Sequence, residues 1–77
     1  MTKPLRVWRT ERLSSVRDLA GTAGVSTKTV VQLEFGRQRP NYTTMRRLSE
    51  ALQVDPREIT EFAAALEDRG KTRSRVT

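Results

Sequence analysis

Thr27, Lys28 and Gln32 bring a hydroxyl with a methyl group, an ammonium and a carboxamide to one side of a short segment whose other side carries Val30 and Leu33. Those groups match what the edges of base pairs offer. A threonine can touch the thymine methyl, a lysine can donate to guanine O6 or N7, and a glutamine can meet adenine N6 and N7 with both ends of its amide. Val31, an apolar residue on that outward side, reads as incidental. Arg17, Arg37, Arg39 and Asn41 suit a second task, the holding of phosphate oxygens, which sets register without reading sequence.

Other chemistries find little to work with. The chain has no cysteine and no histidine, so neither a disulfide framework nor the usual zinc ligand sets are expected. It has no glycine-rich phosphate loop and no metal-ligand spacing, and its carboxylates and lysines suggest no pocket for acid–base work. No enzyme activity, metal, cofactor or small-molecule ligand is expected.

The stretch from Val16 to Phe35 has the spacing that two short helices need to cross at a tight turn. Ala20 and Ala23 are small where the helices must approach, Gly24 supplies a positive φ to end the first, and Ser26 can cap the second. Val25 plugs the turn, and Val30 with Leu33 gives the second helix its inward face. Five helices and no strand are predicted in all. The first runs from Pro4 or Leu5 to Leu13; the second is capped by Ser15 and ends at Gly24; the third opens at Ser26 and closes at Gly36. Asn41 caps a fourth that carries Met45, Leu48, Ala51 and Leu52. Asp55-Pro56-Arg57-Glu58 starts a fifth that ends near Gly70. The predicted core comprises Leu5, Trp8, Leu13, Val16, Leu19, Ala20, Ala23, Val25, Val30, Leu33, Met45, Leu48, Ala51, Leu52, Val54, Ile59 and Phe62.

At 77 residues the chain has room for one domain, which at this size buries only about 60% of its unfolded surface. Residues 1–69 read as that domain and residues 70–77 as a basic, disordered tail. Fifteen basic residues against nine acidic ones give a net charge of +6 and favour a polyanionic partner. The charge is unevenly placed. Residues 1–17 carry five basic side chains against Glu11, and residues 26–47 carry five against Glu34, so each nets +4. Residues 54–68 carry five carboxylates against Arg57, net −4, and should face away from a phosphate backbone. No apolar run approaches a membrane span and the N-terminus lacks a signal-type apolar stretch, so a cytoplasmic location is expected and no membrane partner.

From Leu5 to Ile59, over two thirds of the chain, the sequence resembles the Cro/repressor-type, Xre-like helix-turn-helix family. The resemblance rests on Leu5-Arg6, Arg9, Ser15, Leu19-Ala20, Ala23-Gly24-Val25-Ser26, Val30, Leu33-Glu34, Gly36, Pro40, Thr44, Leu48, Ala51-Leu52 and Val54 at matched spacing. It implies an all-α, compact five-helix domain like that of lambda repressor, with the helix-turn-helix at helices 2 and 3. It implies that the third helix enters the major groove of double-stranded DNA, where Thr27, Lys28 and Gln32 occupy the base-reading positions. It further implies a partly buried ion pair between Arg9 and Glu34. Val16 replaces a glutamine common in the family, Ser14 a leucine, and Phe35 a polar residue, which alters the local phosphate contacts.

A transcriptional repressor is therefore the expected function, acting as a homodimer on a palindromic operator because one reading helix spans too few base pairs. Ile59, Phe62, Ala63 and Leu66 form the stripe expected at the dimer interface. The alternative is a protein-interaction adaptor or antitoxin-type DNA-tethering subunit on the same fold, which would be expected to show a more apolar third helix. RNA binding is weaker still, because most of the few aromatic residues look like core.

Overall fold

The helix ends share one device. In the computed structural model, which describes residues 1–67, α1 (Leu5–Glu11), α2 (Val16–Ala23), α3 (Thr27–Glu34) and α4 (Tyr42–Leu52) are each followed by a residue in the left-handed region. These residues are Leu13 (φ 54°), Gly24 (73°), Gly36 (69°) and Gln53 (59°). After each, an N–H reaches back five residues: Ser14 to Arg9, Val25 to Ala20, Arg37 to Gln32 and Val54 to Ser49. Orphan carbonyls at each end are thereby paired, and the chain reverses within a few residues. Two of the four positions hold no glycine.

That ending moves two expected features. Helical spacing predicted α1 to run to Leu13 with that side chain inward, but the helix stops at Glu11 and Leu13 is 93% exposed. The turn prevails because it is tied at both sides: Arg9 Nη1 donates to the Ser14 carbonyl at 2.9 Å, and Arg12 Nε donates to the Leu52 carbonyl at 2.6 Å. The fifth helix also starts later than expected. Pro56–Glu58 forms only a 3-10 turn, capped where Asp55 accepts from the Arg57 N–H at 2.8 Å. The chain then extends at Ile59, and α5 occupies 60–67, the last described residues. Its expected end near Gly70 and the tail at 70–77 lie outside the described residues.

The extension at Ile59 has a purpose that spacing does not reveal. Lys3 pairs beside it in an isolated parallel bridge, its N–H donating to the Glu58 carbonyl and its own carbonyl accepting from Thr60, both at 2.9 Å. The same Glu58 carbonyl accepts from the Trp8 indole at 2.8 Å. Pro4 gives α1 no side-chain cap, and Glu61 supplies one from α5 by accepting from the Leu5 N–H at 2.9 Å. A carboxylate there also meets the positive end of the helix dipole.

Between these elements lies one core in which Leu5, Leu19, Val30, Leu33, Leu48, Leu52, Ile59 and Phe62 are fully buried. Ala65, absent from the predicted core, joins it, while Val16, Val25, Ala51, Val54 and Leu66 pack at its margin. The fold is the expected all-α, five-helix one among the described residues.

Candidate nucleic-acid interface

α2 and α3 owe their crossing to residues that can be followed one by one. Ser15 and Asp18 form a reciprocal cap, with the Asp18 N–H donating to Ser15 Oγ at 3.0 Å and the Ser15 N–H to Asp18 Oδ2 at 3.3 Å. Leu19, Ala20 and Ala23 turn inward, Gly24 ends the helix, and Ser26 Oγ accepts from the Thr29 N–H at 3.0 Å to begin α3. Since Val30 and Leu33 are buried, the first turn of α3 must present Thr27 and Lys28 to solvent. Both are exposed.

Gln32 departs from the fully outward placement expected for it. It is half-buried, and its Oε1 is a buried atom without a hydrogen-bond partner. Val31 is half-buried too, lining a shallow groove with Arg6, Arg9, Val16, Glu34 and Phe35. Phe35 is 67% exposed and carries the Arg37 guanidinium 5.3 Å from its ring centroid.

The candidate phosphate ligands flank α3 in sequence and are all exposed: Arg17 in the first turn of α2, Arg37 and Arg39 in the connector, and Asn41 before α4. Asn41 Oδ1 already accepts from the Thr44 N–H at 2.8 Å, so its amide N–H₂ is the group left to offer an anion.

The basic charge divides into structural and available parts. Arg9 meets Glu34 through two contacts, Nε to Oε2 at 2.6 Å and Nη2 to Oε1 at 3.2 Å, with side chains only 13% and 7% exposed. This pair joins α1 to the end of α3. Lys3 bonds Glu11, and Lys3 and Arg12 both approach the Trp8 ring, at 4.4 and 5.0 Å from its centroid. Of the five basic side chains before residue 18, three therefore hold the fold together, leaving Arg6 and Arg17.

Arg47 was not singled out by sequence reasoning, yet its Nη1 donates to the Gly24 carbonyl at 3.0 Å and so links α4 to the turn between α2 and α3. The signal was faint: its distance of 23 residues from Gly24 is invisible to helical spacing. On the acidic side, hydrogen bonds from Arg57 hold the Asp55 carboxyl below its ordinary value, and Asp55 raises Arg57 in return. Ile59 and Phe62, expected at a dimer interface, have no exposed surface because they close the chain's own core. Ala63 and Leu66 remain partly exposed.

No helix among the described residues is long and apolar enough to cross a membrane. Residues 5–59 match a family model described as helix-turn-helix. No curated protein and no solved structure gives a significant match.

Proposed function

Because the chain belongs to the Cro/repressor-type, Xre-like helix-turn-helix family of DNA-binding regulators, we propose that it is a repressor that occupies a palindromic operator as a symmetric homodimer. The observation that carries this reading is the exposed first turn of α3, where Thr27 and Lys28 stand on a helix fixed from behind by Val30, Leu33 and the Arg9–Glu34 pair. A helix so held can enter the major groove and keep its register there. Arg17, Arg37, Arg39 and the Asn41 amide then hold phosphates on either side of it.

Dimerisation follows from the size of the reading surface, since two symmetric copies would set their α3 helices about 34–36 Å apart on one face of the duplex. With Ile59 and Phe62 engaged inside, the contact passes to Ala63 and Leu66 on α5. Selection from a random duplex library followed by footprinting tests the whole reading. A consensus with two inverted half-sites one turn apart is the expected result, and binding without sequence preference would overturn it.

A further inference from the structure

Phe35 directly follows α3 and is 67% exposed, and its ring meets the Arg37 guanidinium 5.3 Å from the centroid. The backbone brings the two together. The Phe35 N–H donates to the Val31 carbonyl at 3.1 Å, Gly36 turns left-handed at φ 69°, and the Arg37 N–H returns to the Gln32 carbonyl at 2.9 Å. Both side chains therefore start from fixed points on either side of a reversal. Among the described residues the Arg37 guanidinium takes part in no hydrogen bond or ion pair, so the ring contact is what orients it. Arg9, Arg12, Arg47 and Arg57 are instead committed to protein oxygens. Arg17 has neither kind of partner among the described residues.

A ring attracts a cation through its π face and leaves the N–H donors of a guanidinium available. An aromatic neighbour thus restricts where Arg37 lies without occupying the donors that a phosphate needs, which a carboxylate would fill. We propose that Phe35 is a positioning residue for DNA binding, its ring holding Arg37 at the end of α3 as a ready phosphate anchor. The inference rests on the reading that α3 lies in the major groove with Arg37 on a flanking phosphate. An arginine already confined has less freedom to lose when a phosphate takes it. Phe35 accordingly raises affinity for any duplex and reads no base.

Anisotropy titrations across a salt series, on an isolated half-site and on random duplex, test this with Phe35→Leu, Phe35→Tyr and Arg37→Ala, alone and combined. Phe35→Leu keeps an apolar side chain without a π face and should weaken both duplexes by the same factor, roughly 2- to 10-fold. Its salt slope should remain that of the wild type, because the phosphate contact still forms. Phe35→Tyr retains the face and should bind like the wild type. Arg37→Ala should reduce the salt slope by about 1, and in that background Phe35→Leu should cause no further loss, whereas in an Arg17→Ala background it should cause its full loss. Damage to folding by Phe35→Leu would persist whether or not Arg37 is present, so the double-mutant cycle separates positioning from stability. A Phe35→Leu loss that survives Arg37→Ala, a loss confined to the half-site, or no loss at all would overturn the proposal. Arg37→Ala with unchanged affinity and slope would overturn it too while leaving the DNA reading in place, and a wild type that binds no duplex would remove that reading itself.

Discussion

Arg9 and Glu34 are so far withdrawn from water that removing one leaves the other without compensation. Breaking a buried pair in this way costs about 3–5 kcal/mol, and the partial exposure of Arg9 places Arg9→Ala near the low end. For a domain this small that is a fall of roughly 12–24 °C in melting temperature. A melt that stayed within a few degrees would show that the pair contributes nothing. Base and phosphate contacts separate at the same scale. Lys28→Ala should lose about 1–3 kcal/mol on the selected operator and relax one base position, whereas Arg17→Ala should weaken operator and random duplex alike. Matching profiles for the two variants across a panel of altered operators would refute the division of roles. The exposure of Thr27 and Lys28 could be read from the sequence because Val30 and Leu33 fix the phase of α3. The half-burial of Gln32 could not, since spacing gives a side chain's direction but not the fate of its terminal atoms.

Leu13 and Gln53 show what a helix ending can demand of an unsuited residue. Both sit at positive φ, where a side chain with a Cβ meets strain of about 1–2 kcal/mol that glycine avoids. Leu13 also spends its apolar surface on water. Leu13→Gly is therefore expected to stabilise the domain by roughly 0.5–1 kcal/mol, the relief of strain being partly offset by the greater freedom of glycine in the unfolded chain. Urea unfolding reads this as a higher midpoint with an unchanged slope, and a lower midpoint would mean that the Leu13 side chain makes a contact worth more than the strain. The endings at Gly24 and Gly36 were visible in the sequence because glycine announces them. Those at Leu13 and Gln53 were not, because nothing in either residue type favours a left-handed backbone. The start of α5 was misplaced for a related reason: Asp55-Pro56 does signal a helical turn, but the pairing of Ile59 with Lys3 depends on a segment more than fifty residues away.

Over the whole molecule, the sum of charge overstates what DNA can use. Lys3, Arg9 and Arg12 are engaged within the fold, so on the proposed reading phosphate contact rests on Arg17, Arg37 and other basic side chains near α3. With about five phosphate contacts per protomer, the logarithm of the binding constant for an isolated half-site should fall against that of salt with a slope of roughly −4 to −5, and that of the dimer on its full operator with about twice that slope. The chain has neither histidine nor cysteine, so the same anisotropy titration should vary little between pH 6 and 7. A flat salt response would contradict the phosphate reading. Leu66 also packs at the margin of the core, so Leu66→Glu, once shown to melt like the wild type, should separate assembly from folding: sedimentation should show a monomer on DNA, with weaker binding to the full operator and half-site binding retained. Equal affinity of the wild type for an isolated half-site would rule out the dimer. The stitch between the two ends of the described chain has its own consequence for how the protein is made. A ribosome delivers residues 1–11 first, yet the carboxylate that caps α1, the carbonyl that receives the Trp8 indole and the segment that pairs with Lys3 all lie between 58 and 61. The α1 N-terminus and the Trp8 indole N–H therefore lack these partners until translation has passed Glu61, so a nascent chain ending before residue 58 cannot close this end of the domain.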